Sequence, residues 1–434
     1  MFLAGWPDVI VPAYPYLPSL FSADCVESVP RESIEIGRND CLPLEFGRYT
    51  AFFWATSPIS SHLSRMRIFL VSYYLCICRI VLFRHQIGWV VMFRPGYIEG
   101  VATDPKRRAW RYSSPRPLPW AAWYPSAHSS AMVDKLIGPP GEELFRMGLV
   151  AENADVSTAQ DHWPVVLLSH GTGGSVEGLS WLGTYLATKG FISIGVSHHG
   201  NTIVEPYLPE GFICWWERAR DLTVILSFLN NVGPLSNRLD MGNVFASGHS
   251  LGAYTVLLLA GAITNLQLFD DWLIAEGKEG GGPREFPNIG SYIPELNAQS
   301  QQFRHSMARH AQSYHDPRIK AVLTLAPAPP VRSFEPESVA LIKAPTVMIV
   351  GQNDTEAPHK ECAFWLKEKN PSFQLELLGR DVGHYVFLPE ATATGRATDP
   401  TICSDPVGVD RHSIHRSAGE VAERHFRSAT VLRT

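Results

Sequence analysis

From about residue 118 onward the chain alternates short, almost wholly apolar runs with longer segments of helical spacing. Leu118–Tyr124 (LPWAAWY) reads as a strand ended by Pro125, and Pro164–Ser169 (PVVLLS) as a buried strand running into a glycine-rich turn. Leu179–Lys189 has apolar residues at helical spacing and stops at Gly190, and Phe191–Val196 (FISIGV) is another apolar run. Trp216–Asn230 predicts an amphipathic helix with Leu222, Ile225, Leu226 and Leu229 on one face. Asn243–Ser247 predicts a strand, Leu251–Ala262 a helix of small residues, and Ile319–Leu325 and Pro345–Val350 two further strands. His359–Lys369 predicts a helix, Phe373–Leu378 a strand, and Val421–Thr430 a closing helix. Short apolar strands alternating with helices imply βαβ units and a mostly parallel sheet buried on both faces by helices, the α/β class.

Two regions depart from this rhythm. Residues 263–316 hold Gly280-Gly281-Gly282-Pro283 and then polar, His-rich sequence, long for a connection inside a compact domain. They are expected to form a lid-like insertion or a loose surface loop. No Gly-Lys-Ser/Thr follows the glycines, so they are not a phosphate loop. Apolar side chains at Ile263, Leu266, Leu268, Phe269, Trp272, Leu273 and Ile274 either meet a lipid or pack on the core. Residues 1–91 are poorly patterned and are read as an extension, with 92–434 as the domain. Ile68–Cys78 is uncharged but shorter than the ~20 residues a spanning helix needs. A weak anchor, an unpatterned extension and sequence upstream of an internal start at Met66 or Met92 are the three readings.

Composition narrows the function. Of 434 residues 45% are hydrophobic, enough for a sizeable core, and a net charge of −5 argues against a basic nucleic-acid binder. Seven scattered cysteines, an odd number, do not make a disulfide framework. A cytoplasmic location is favoured on that ground, with secretion or membrane association as alternatives.

Candidate chemistry centres on Gly248-His249-Ser250-Leu251-Gly252, a G-x-S-x-G expected by chance roughly 0.15 times in such a chain. An apolar strand precedes it and a helix follows, the strand–turn–helix of a nucleophile elbow. A serine hydroxyl needs a base, and His384 in the loop Gly383-His384-Tyr385 is the candidate. Asp354 directly follows the strand PTVMIV, at the end of a parallel strand where ligands bind, and would orient the imidazole. Glu356 and Asp381 are rival acids. The order Ser…Asp…His is that of α/β-hydrolases. The turn Ser169-His170-Gly171-Thr172-Gly173-Gly174 can aim backbone N–H groups at an oxyanion, so the N–H groups of Thr172 (alternatively Gly173) and Leu251 are the expected donors. Gly171, Gly173, His249 and Tyr254 are expected to border substrate. His170, His198, His199 and His249 lack metal-binding spacing, so no metal and no cofactor is expected. Trp215 and Trp216 are read as packing or pocket wall. Arg411, Arg416, Arg424 and Arg427 are read as a solvated helix face.

Beyond these motifs, residues from about 96 to 428 resemble the dienelactone-hydrolase-like and platelet-activating-factor-acetylhydrolase-like α/β-hydrolases. The matching pieces are AAWYPSA (121–127), VVLLSHGTGGS (165–175), SHHGNT (197–202), CWWERARDL (214–222), SGHSLGAYT (247–255), IKAVLTLAPA (319–328), IVGQNDTEAP (349–358) and GHYVFL (383–388). The resemblance implies an α/β-hydrolase fold and serine esterase activity on a small or lipid-like ester. Dienelactone hydrolases proper carry a cysteine where Ser250 stands. The acetylhydrolase branch places its acid after the strand following the elbow strand, where this chain reads Ala326-Pro327-Ala328-Pro329-Pro330; Asp354, after the next strand, is the better acid. Amidase or peptidase chemistry on the same residues and a non-catalytic binding module are the alternatives.

Overall fold

The computed structural model describes residues 42–46, 49–53, 92–278 and 282–430. Contacts divide the chain into two units, Met1–Trp89 and Val90–Thr434. In the first, β1 (Leu42–Phe46) and β2 (Tyr49–Phe53) pair as an antiparallel hairpin. The other expectations for 1–91, including the apolar run Ile68–Cys78 and the possible starts, lie outside the described residues, apart from Met92 itself. So do Gly280 and Gly281.

The second unit is built on an eleven-stranded sheet. Its strands are β3 (Arg94–Arg108), β4 (Pro115–Ser126), β5 (Val133–Ile137), β6 (Phe145–Glu152), β7 (Trp163–Ser169), β8 (Ile192–Val196) and β9 (Leu239–His249). They continue as β10 (Ile319–Leu325), β11 (Thr346–Val350), β12 (Gln374–Leu377) and β13 (Glu390–Ala391). The order is β12-β11-β10-β9-β7-β8-β4-β3-β6-β13, with β5 on β6. From β12 through β8 all pairings are parallel; β4 runs antiparallel to both β8 and β3. This is a largely parallel sheet with helices on both faces, the α/β-hydrolase fold.

Two-residue periodicity explains how both faces are buried. Along β7, Val165 and Leu167 enter one core with the helices Glu217–Asn231 and Leu251–Ala260, while Val166 and Leu168 enter the other with Ser180–Thr188 and Arg411–Ser428. Near-continuous Val, Ile and Leu is what a strand covered on both sides requires.

Several elements differ from expectation. β4 is longer than the run 118–124 and carries Pro115, Pro117, Pro119 and Pro125. It pairs with β8 only over Trp120–Trp123, so each of these prolines lies where no second neighbour needs its N–H. The helix before β12 begins at Ala363 rather than His359, because 354–362 is spent on turns at Asp354 and Pro358. The closing helix begins at Arg411, ten residues before the expected Val421. Its buried face carries Ala418, Ala422 and Phe426 together with the polar Arg411, His415 and His425, so an apolar run alone marks only its second half. Arg411 is not solvated: it is buried, pairs with Asp405 at 2.8 Å and donates to the Pro389 carbonyl.

The insertion 263–316 is helical over Leu266–Ala275, Ile293–Gln299 and Gln301–Met307. Phe269 packs edge-on to Trp215 and Trp272 is buried, while Ile274 stays exposed. Trp216 donates to Ser306, tying the end of the insertion to the helix Glu217–Asn231. No helix among the described residues is long and apolar enough to cross a membrane.

Candidate active site

The site assembles at the C-terminal edge of the parallel strands. β9 ends at His249 and the helix Leu251–Ala260 starts one residue later, leaving Ser250 alone to reverse the chain. Its backbone takes φ 56, ψ −118, a strained conformation for a residue with a Cβ. The strain is held by neighbours: Ser250 N–H donates to the Leu325 carbonyl at 2.9 Å, and Ala328 N–H donates to the Ser250 carbonyl at 3.3 Å. The flanking glycines are needed for close approach. A Cβ at Gly248 would strike the backbone of Gly252, and one at Gly252 would strike the carbonyls of Ser169 and His170. The second glycine therefore lets the 169–174 loop lie against the elbow.

Asp354 follows β11 and His384 opens a short 3-10 turn after β12. Parallel pairing of β10, β11 and β12 brings these distant residues to one edge. His384 Nε2 lies 2.9 Å from Ser250 Oγ, and His384 Nδ1 lies 2.7 Å from Asp354 Oδ2. The other carboxylate oxygen accepts from Ala357 N–H at 2.6 Å. With Nδ1–H donating to the carboxylate, Nε2 is left to accept from the serine. Glu356 is exposed, and neither it nor Asp381 bonds the imidazole.

The glycine turn after β7 lies beside this serine; Gly171 sits so close that an added Cβ would be 3.3 Å from Ser250 Cβ. Gly173 N–H is already given to Asn201 Oδ1 at 2.8 Å, and Gly174 N–H points to the Gly171 carbonyl at 3.4 Å. Among the described residues no acceptor takes Thr172 N–H, so of the two sequence candidates Thr172 is the one with a donor to spare.

Two expected substrate contacts are corrected. Tyr254 is fully buried, stacks on Phe334 and bonds Thr264 through its hydroxyl, because its helix is covered on that side by the start of the insertion. His249 is buried behind the relay, its ring 4.7 Å from that of His384 and 5.7 Å from Phe387. Burial, and then the neighbouring His384, push its pKa well below the ordinary range, so it is neutral packing. Trp216 is likewise interior.

Sequence reasoning missed what surrounds the loop. His198, Asn201, Tyr207, Arg218 and Asp221 contact it directly or through one another. The segments SHHGNT and CWWERARDL had drawn notice, without a role for these side chains. Glu285 of the insertion also reaches the loop: an added Cβ at Gly173 would meet its carboxylate. Burial raises the Glu285 pKa. Among the described residues no His, Cys, Asp and Glu group is arranged to hold a metal.

The strand order and this edge have the form of the α/β-hydrolase fold, and comparison with known proteins agrees on the fold. The sequence profile of "Platelet-activating factor acetylhydrolase, isoform II" matches residues 146–210, which include the glycine turn but none of Ser250, Asp354 and His384. The solved ferulic acid esterase from Streptomyces cinnamoneus is similar in structure, with TM-score 0.52 at 16% identity over 78% of this chain and 90% of that one. No curated protein matches the sequence significantly. The chain shares its fold with that esterase and, over residues 146–210, resembles the acetylhydrolase family in sequence.

Proposed function

We propose that the protein is a serine hydrolase of carboxylic esters, short-acyl or lipid-like, working through an acyl-enzyme. The carrying observation is the continuous hydrogen-bonded line Ser250–His384–Asp354, at 2.9 and 2.7 Å, on a strained elbow beside a loop with a free N–H. His384 Nε2 takes the Ser250 proton as Oγ attacks the ester carbonyl, and Asp354 holds the tautomer and stabilises the imidazolium. The N–H groups of Thr172 and Leu251 stabilise the tetrahedral oxyanion, Leu251 from the first turn of its helix. His384 then protonates the leaving alcohol, and a water deprotonated by His384 releases the acid. No cofactor enters this cycle.

The insertion 263–316 acts as a lid over this edge: Phe286 packs on Phe212 at 4.8 Å between ring centres, and Tyr207 packs edge-on to Phe212 while its hydroxyl donates to the Gly173 carbonyl. Its Arg284 pairs with Asp399 at 2.8 Å, closing it against the domain.

The test is hydrolysis of p-nitrophenyl acetate by wild type and Ser250→Ala. A loss of about 10³-fold or more is expected, as for removal of a nucleophile. Retention of more than about a tenth of the activity contradicts the proposal. Faster turnover of matched amides than of esters would favour a peptidase-like reading instead.

A further inference from the structure

Beneath the glycine turn lies a second Ser–His–Asp line. Ser169 Oγ is 3.0 Å from His198 Nε2, and His198 Nδ1 is 3.0 Å from Asp221 Oδ2, all three at 0% exposure. No substrate reaches it, so it does not turn over ester. It lies beside Arg218, one turn before Asp221 on the same helix and 1% exposed. The Arg218 guanidinium donates to the His170 carbonyl, and its nitrogens lie 3.4 Å from Asn201 Oδ1 and 3.5 Å from Ser169 Oγ. Among the described residues its Nε has no partner. Asp221, the nearest carboxylate on that helix, is occupied by Arg107 at 2.6 Å, Arg116 at 2.9 Å and His198. Arg218 is thus a buried cation with no carboxylate bonded to it, a costly arrangement in a core.

What it touches explains where it sits. His170 Nε2 accepts from His198 N–H at 3.0 Å, so its proton is on Nδ1, which donates to the Gly171 carbonyl at 2.6 Å. Gly173 is held at both ends, by Asn201 on its N–H and by the Tyr207 hydroxyl on its carbonyl at 2.8 Å. Bonds on His170, Gly171 and Gly173 leave Thr172 between them with its N–H unspent.

Resting on the ester-hydrolase reading, we infer that Arg218, braced by the Ser169–His198–Asp221 line, is a positioning residue of the oxyanion hole. Its bond to the His170 carbonyl sets the turn so that Thr172 N–H meets the oxyanion, and its charge, to which no carboxylate is hydrogen-bonded among the described residues, favours the negative charge that develops there. The effect is on the transition state, not on ground-state binding.

The test compares wild type, Arg218→Lys and Arg218→Met in ester kinetics, with hydrogen exchange of the peptide spanning 170–175. Arg218→Met should lower kcat about 10- to 100-fold with KM within about threefold, less than the ~10²–10³ of a direct donor. Arg218→Lys should recover most of the loss, and the 170–175 amides should exchange faster in Arg218→Met than in wild type or Arg218→Lys. Tyr207→Phe, at a half-buried position, serves if Arg218→Met does not fold; it should also speed that exchange and lower kcat more than it changes KM. Unchanged kcat and unchanged exchange in a folded Arg218→Met, or in Tyr207→Phe where that variant stands in, overturns the inference. A wild type without ester turnover removes the function reading, and unchanged exchange at 170–175 in either variant still overturns the bracing separately.

Discussion

The molecule contains the same three side chains in the same hydrogen-bonding order twice. Ser250–His384–Asp354 and Ser169–His198–Asp221 both join Oγ to Nε2 and Nδ1 to a carboxylate, at 2.7–3.0 Å. Their surroundings separate them. Ser250 keeps 8% of its surface, stands at φ 56 and forms the elbow that opens a helix, whereas Ser169 is fully enclosed at the end of a strand. Among the described residues Asp354 is hydrogen-bonded to the imidazole and a backbone N–H, whereas Asp221 sits among arginines. On the proposed reading, hydrogen-bond geometry alone does not make a nucleophile: access and a helix N-terminus are what Ser250 has and Ser169 lacks, and the second line serves as a strut.

Substitutions at matching positions should split these roles. The largest effect is expected at the aspartates. Asp354→Asn should cost about 10⁴-fold in kcat by upsetting the tautomer while the melting temperature moves little. Asp221→Asn should do the reverse first: it leaves Arg107 and Arg116 facing a neutral amide, and loss of a buried charge partner costs ~3–5 kcal/mol of stability, read by urea unfolding.

The pH dependence of stability is the next largest effect. Burial, and then Arg218, hold the His198 pKa down to about 3, and burial also takes His415 down to about 3. In the unfolded chain these imidazoles take protons near pH 6.5. Their stabilising contribution is full above about pH 6.5 and is lost progressively as pH falls toward 3. Burial raises the Glu217 pKa, but Arg107, Arg116 and Arg309 outweigh it and leave it at about 2, adding a second loss below about pH 4.5. Melting temperatures from pH 8 to pH 4 should begin to decline near 6.5, and His198→Gln should flatten part of that decline. The smallest effect is expected for Arg284→Ala, whose pair with Asp399 is half exposed: stability should move by less than ~1 kcal/mol, so any larger change in KM would report on the insertion rather than on folding.

The legible part of this molecule was what local patterning encodes. Apolar runs at β7 and β9 announce strands covered on both faces, and the G-x-S-x-G between a strand and a helix announces Ser250. Asp354 stood out over its neighbours because it directly follows β11. The strut was not legible. Glu217, Arg218 and Asp221 occupy the polar side of an amphipathic helix, which reads as solvent-facing. They are interior because Arg107 and Arg116, on β3 and β4, close over them across more than a hundred residues of chain. Arg411 was misread for the same reason, its partner Asp405 lying outside the helix. His249 directly precedes Ser250 and Tyr254 lies four positions after it, yet both side chains are in the core, His249 beside Phe387 and Tyr254 against Phe334.

The central claim is that only one of the two serines is a nucleophile. Reaction of the intact protein with a fluorophosphonate probe, followed by peptide mapping, tests it most directly. Stoichiometric label on the peptide carrying Ser250, and none on that carrying Ser169, is predicted. Absence of label, or label at Ser169, would contradict it.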